Sequence, residues 1–291
     1  MPNRTVQAAR FMVLSALGFA LMGACVKVLG SRGFPVVEII AFRAAISLVL
    51  SLAVVLRKGI PILGQQRLWL LARGIIGFLA LLCVYYSVVH LPLAEATILQ
   101  YVHPIFTLLI ALLFLGERIH SRTLVCIALS LAGLVLVAQP GWLAGFQADT
   151  LDPFTVGIAL LGALGSASAY VIVRKLAATE DSSVIILYFP LVCLPATIVL
   201  GWAQFVMPSG TDWLFVVGVG VFTQIGQWGL TRGMALQTAG IVSAFSYVQV
   251  PFAMILGYFV FNEEFNFWVI NGAALILLAA WINTQSKTEK V

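Results

Sequence analysis

Ala16-Leu17-Gly18 followed by Lys27, and Ala163-Leu164-Gly165 followed by Arg174, are one phrase written twice. The offset, 174 minus 27, is 147 residues, and at the same offset Phe42 falls on Phe189, Pro104 on Pro251 and Glu117 on Glu264. Read this way, no gap is needed between the first apolar run and the ninth. One coincidence of this kind is cheap, but a register shared so widely marks an internal duplication. Inside an apolar chain it points to a repeat-built membrane protein of the secondary-transporter kind.

Composition places the chain in a bilayer before any motif is read. With 62% of its 291 residues hydrophobic, 9% charged and a mean hydropathy of +1.06, it has too little polar surface to cover a soluble domain. Apolar runs of spanning length fall at 11–30, 36–56, 68–90, 94–115, 121–139, 154–176, 183–206, 213–236, 239–261 and 266–284. Each is close to the roughly 20 residues a helix needs to cross the hydrocarbon. They are too long and continuous for barrel strands, so an all-α membrane protein of ten transmembrane helices is expected. The first run follows Arg4 and Arg10 like a signal peptide, but it lacks a small-x-small cleavage site and another span follows at once, so it reads as helix one.

Orientation follows from the basic residues. Arg4, Arg10, Arg57, Lys58, Arg67, Arg118, Arg122, Arg174, Lys175, Arg232, Lys287 and Lys290 fall on one side and Arg32 clearly on the other, which predicts both termini in the cytoplasm and residence in the cytoplasmic membrane. The net charge of +5 is this bias and needs no nucleic acid. Five spans per repeat is an odd number, so the second repeat must enter from the opposite face and the repeats are inverted. The expected domains are 1–140, an external linker at 141–153 carrying Asp149 and Asp152, and 154–291.

Catalytic and metal chemistry have no foothold here. Cys25, Cys83, Cys126 and Cys193 sit within spans without CxxC spacing, no phosphate loop, HExxH or GxSxG is present, and every Asp lies in a loop. No enzyme, cofactor or metal is expected.

The strongest local signal is a proline in the middle of the fourth and ninth spans. Pro104 and Pro251 each remove the hydrogen bond to the carbonyl four residues earlier, on Gln100 and Tyr247, near the bilayer midplane. Ala96, Gln100, His103 and Thr107 form a small or polar stripe there; its counterpart, Ser243, Tyr247, Val250 and Met254, is half polar. Span eight adds Gln224, Gln227 and Trp228, and span six adds Ser166 and Tyr170. Such groups can pack helix on helix, or line a cavity for a zwitterionic or heterocyclic metabolite; the joint pattern around both prolines favours the cavity.

Ionisable residues inside spans need a role or an escape route. Arg73, Arg232 and Lys27 lie near span ends and are expected to snorkel. Arg43 is deeper, and either binds an anionic group or pairs with Glu38 or a carbonyl. Glu95 lies in the first turn after Pro92, where the helix dipole favours a carboxylate. His103, with an ordinary pKa near 6.5, is a candidate for proton coupling as well as for a structural hydrogen bond. The basic excess within spans disfavours a multidrug-type cation.

With Arg43 in the second span, the run Tyr85-Tyr86-Ser87-Val88-Val89-His90-Leu91-Pro92-Leu93-Ala94-Glu95-Ala96-Thr97, then Pro104 and Leu113-Phe114-Leu115-Gly116-Glu117-Arg118, the chain resembles the EamA domain of the drug/metabolite transporter superfamily. The second half resembles it through Leu230-Thr231-Arg232, Tyr247, Pro251 and Phe261-Asn262-Glu263-Glu264, with Asn262 where glycine is usual. The resemblance covers nearly the whole chain. It implies a basket in which spans one to four and six to nine surround a central cavity, and by analogy it places Gln100, His103, Tyr170, Gln224, Trp228 and Tyr247 on that cavity, with Glu117 and Glu264 structural.

The expectation is a transporter of a small amino-acid-like zwitterionic or anionic metabolite working by alternating access, with Arg43 added to the site. The alternative class is a non-transporting membrane scaffold on the same fold; a channel is disfavoured because no span carries a filter pattern. The expected partners are a small-molecule substrate, the bilayer, a coupling proton and, if Gly229 and Gly233 pack between chains, a second copy.

Overall fold

The computed structural model describes residues 4–91, 93–139, 152–201 and 206–285; Pro92, the side chain of Glu95 and most of the expected linker lie outside the described residues. The ten candidate spans are built from twelve α-helices: α1 (Arg4–Ser31), α2 (Val36–Arg57), α3 (Arg67–His90), α4 (Leu93–Gln100), α5 (His103–Leu115), α6 (Ser121–Ala138), α7 (Pro153–Leu176), α8 (Ser182–Gly201), α9 (Asp212–Leu236), α10 (Ala239–Ala244), α11 (Gln249–Phe261) and α12 (Phe267–Thr284). The fourth span is α4 with α5, parted at 101–102; the ninth is α10 and α11, joined by a 3-10 turn over Phe245–Val248. Both departures fall just before the mid-span prolines, where an amide hydrogen is missing.

The most extensive helix pairs have their mirrors in the other repeat. α1 packs on α9 as α7 packs on α3, α2 on α9 as α8 on α3, and α5 on α7 as α11 on α1, while α2 with α8 and α6 with α12 pair across the repeats. The two inverted repeats are thus interleaved rather than set side by side. Close approach requires small residues at the crossings. A Cβ on Gly18 would stand 2.8 Å from the backbone nitrogen of Gly226, and one on its counterpart Gly165 would stand 2.9 Å from Cβ of Ala80. Gly229 and Gly233 are likewise spent inside the chain, against Phe11, Ser15 and Met12. Outward, Leu113, Phe114, Val199, Phe259 and Trp281 are exposed, as lipid-facing side chains should be.

The register expected from sequence holds at 147 in α1 and α7, where Gly18 and Gly165 make matching crossings, and slips by one residue from α2 onward. Helix starts Val36 and Ser182, Leu93 and Ala239, His103 and Gln249, and Ser121 and Phe267 are 146 apart, not 147. Left-handed C-caps fix the frame: Gly116 (φ 66°) ends α5 and Asn262 (φ 52°) ends α11, both following a 13-residue helix. Glu117 therefore corresponds to Glu263 and not to Glu264, and the ungapped duplication is corrected. In this frame Tyr101 and Tyr247 are equivalent, and their rings stack with centroids 5.4 Å apart. Equivalent residues that touch each other lie at the pseudo-two-fold axis, so the two breaks meet at the centre of the molecule.

Candidate functional site

Beside the broken fourth span is a cavity of about 160 Å³ whose lining includes Arg43, Arg73, Gln100, Ser166, Tyr170, Phe189 and Gln227, drawn from both repeats. Arg43 and Arg73 are 8% and 5% exposed. Their guanidinium carbons lie 5.5 and 4.8 Å from the centre of the ring of Phe189, a residue of α8. Arg73 Nη2 donates to Gln227 Oε1 at 3.0 Å. Arg43 Nε and Arg73 Nε and Nη1 have no hydrogen-bond partner, and among the described residues neither arginine forms an ion pair. Gln100 Nε2 donates to Ser166 Oγ at 3.3 Å while its Oε1 is buried and unpartnered. Buried polar groups are ordinarily satisfied, so the open donors and open acceptor on residues lining one cavity stand out.

Two expectations from sequence are corrected here. Arg73 does not snorkel to the membrane edge; it folds inward over Phe189. Arg43 is not neutralised by Glu38, whose Oε2 accepts instead from the Val206 amide at 2.9 Å. Tyr85 faces the Arg43 guanidinium.

Of the residues singled out from sequence, Arg43, Gln100 and Tyr170 come together on this cavity. His103 lies next to it, packing edge-on against Tyr170 with ring centroids 5.1 Å apart and Nε2 at 3.4 Å from Ser246 Oγ. Tyr247 is fully buried and donates its hydroxyl to the Tyr101 carbonyl at 2.7 Å. That carbonyl is free because Ile105 N–H turns back to Val102 instead, so the second repeat repairs the break in the first. Gln224 faces elsewhere, donating to Ser51 Oγ at 2.8 Å. Trp228 stands edge-on to Phe11, 5.2 Å away, in a separate groove between α1 and α9 with Arg10 and Arg232. Sequence reasoning left Arg73 and Gln227 out of the site, although Gln227 was visible as a mid-span amide.

Below the cavity, on the side that holds the start of α1 (the N-side), the repeats are tied together. Arg174 at the end of α7 donates Nε to Glu117 Oε1 at 2.8 Å and Nη1 to the Met234 carbonyl at 2.7 Å. Glu117 Oε2 also accepts from the Ala239 amide at 2.7 Å, capping α10. A second brace joins Lys58 to Asp181 at 2.9 Å and to Ser183 at 3.1 Å. On the far side Lys27 pairs with Glu263 and Arg32 with Asp212.

Known proteins share this architecture. The chain is 32% identical over 276 residues to the pseudopaline exporter CntI of Pseudomonas aeruginosa, covering 94% of this chain and 95% of that protein. It is 26% identical over 295 residues to the riboflavin transporter of Vibrio cholerae, covering 99% and 96%, and 26% identical over 278 residues to human solute carrier family 35 member G1, covering 92% and 76%. A solved crystal structure superposes with a TM-score of 0.82 at 20% identity, covering 95% of this chain and 96% of the other, which establishes the likeness of fold. The EamA-like transporter family matches at residues 7–139 and again at 153–285, one copy per repeat. The chain is a multi-pass membrane protein of the drug/metabolite transporter superfamily and belongs to its EamA-like transporter family.

Proposed function

We propose that the protein is a secondary transporter of the cytoplasmic membrane, with both termini in the cytoplasm, that moves a small anionic or zwitterionic metabolite by alternating access. The observation that carries this reading is the cavity itself. It lies between inverted repeats, beside the broken span, and is lined by buried polar groups whose hydrogen bonds are unmade. A scaffold that had merely retained the fold would gain nothing from leaving such groups unsatisfied. Arg43, Gln100 and Tyr170 are proposed to contact substrate, with Pro104, Pro251 and Tyr247 shaping the break that exposes them. Gln224 and Trp228, held by Ser51 and Phe11 away from the cavity, are assigned no contact in this conformation. No second copy is needed.

His103 is the group we assign to proton coupling. It packs edge-on against Tyr170, which lines the cavity, so a proton carried there would lie beside a bound anion and the two would favour each other's binding.

The test is counterflow in proteoliposomes preloaded with pools of amino acids, carboxylates, nucleosides and vitamins, following the matching labelled tracer. Accumulation driven by one pool is expected. With a substrate in hand, flux should follow an imposed pH gradient in the wild type and lose that response in His103→Gln. Unaltered transport in Gln100→Ala with Tyr247→Ala would refute the proposed site.

A further inference from the structure

Two buried arginines in one small cavity are costly, and a membrane interior makes them more so. Both guanidinium groups lean on the same Phe189 ring, so the charges stand no more than about 10 Å apart and repel each other. Three of their N–H-bearing nitrogens are unpartnered, and no carboxylate among the described residues is paired with either. The interactions present are a neutral amide on Arg73, the face of Phe189, and Tyr85 beside Arg43. None of these cancels a charge. A fold that needed the arginines only for packing would pair them, as it pairs Arg174 with Glu117.

From this we infer that Arg43 and Arg73 form a carboxylate clamp, and that the transported solute is an obligate organic anion whose acid group supplies the missing counter-charge; the inference rests on the transport reading above. A planar guanidinium fork matches a carboxylate in a bidentate manner. A cavity of about 160 Å³ is close in size to one that holds benzene, so it takes a compact acid or the acid end of a longer molecule. Gln100, with its open Oε1, then faces a donor on the same solute, such as an amine or hydroxyl.

The assignment can be tested without a known substrate. Full-length protein in lipid nanodiscs is titrated with acetate, glutamate and succinate, against acetamide, choline and inorganic phosphate, following the thermal unfolding midpoint. Carboxylates should raise the midpoint, and acetamide and choline should not. Arg43→Gln and Arg73→Gln should each weaken carboxylate binding about 10- to 100-fold, while Arg73→Lys, which keeps the charge and loses the fork, should fall between. Relieving the repulsion should also raise the midpoint of ligand-free Arg43→Gln; a lowered midpoint with carboxylate response intact would make the arginine structural and overturn the proposal. Stabilisation by phosphate above every carboxylate, or by choline or acetamide as well as by their acid counterparts, would overturn it too. Counterflow separates the two readings. Silence from every pool while carboxylates still bind would refute transport and leave the clamp standing, whereas robust counterflow of a neutral or cationic solute would refute the clamp and leave transport standing.

Discussion

The same latch is built twice, once at each face of the molecule, and the two copies are made differently. On the N-side Glu117 and Arg174 are 10% and 18% exposed, and each spends its second polar group on backbone, at Ala239 and Met234. At the far side the equivalent pair, Glu263 and Lys27, is 41% and 53% exposed. The second position carries arginine in one copy and lysine in the other, and the rigid fork of arginine is the better fitted to hold a carboxylate and a carbonyl in fixed geometry. A solvated pair contributes about 0–1 kcal/mol, whereas charge-assisted bonds in a shielded network contribute about 1.5–3 kcal/mol each. The conformation described is therefore locked at the N-side and held loosely at the far side, so the two faces of one duplicated fold are energetically unequal.

Breaking the N-side latch should have the largest effect. Glu117→Gln leaves Arg174 without its counter-charge and should lower stability by about 2 kcal/mol, with a matching rise in N-side accessibility of a single cysteine placed at Ser166, read by maleimide labelling. Next is the seam between the breaks: Tyr247→Phe strands the Tyr101 carbonyl and should cost about 1–2 kcal/mol by chemical denaturation, with little change in labelling. Smallest is the far-side pair, where Lys27→Gln should change stability by less than about 1 kcal/mol. Equal losses from Glu117→Gln and Lys27→Gln would erase the asymmetry.

Acid sharpens the contrast further. Burial pushes the Asp181 carboxyl up, but the Lys58 ammonium and Ser183 outweigh it and hold the group below the usual carboxylate range. A depressed folded pKa means the contribution of this brace is complete above about pH 4 and is lost as pH falls through the folded value. Changes between about pH 6 and 8 should therefore leave the Lys58 brace intact, measured by the unfolding midpoint of wild type against Lys58→Gln.

Much of the fold was legible because a bilayer permits so little. A span must be long, apolar and helical, so the run at 213–236 appears as Asp212–Leu236 and that at 121–139 as Ser121–Ala138. The first helix begins earlier than its apolar run because Arg4 and Arg10 can continue it beyond the hydrocarbon. The one-residue slip was harder to see, since matching prolines suggested 147 while the structure turns on the caps at Gly116 and Asn262. That signal was present in the parallel between Leu-Gly-Glu and Phe-Asn-Glu. The site was only half legible. Gln224, Gln227 and Trp228 are three and four residues apart and so share one side of α9, yet Gln224 turns to Ser51 and Trp228 to Phe11, and of the three only Gln227 lines the cavity. Arg73 was misjudged because depth in a span does not tell whether a long side chain turns outward to water or inward onto a ring such as Phe189.

Alternating access requires the N-side latch to open once in every cycle. In a background lacking the four native cysteines, Glu117→Cys with Arg174→Cys can be closed by a reversible bifunctional thiol crosslinker and the protein assayed by counterflow with whichever pool drives the wild type. Crosslinking should abolish counterflow, and cleaving the crosslink should restore it. Full counterflow through a latch shown to be crosslinked would contradict the account.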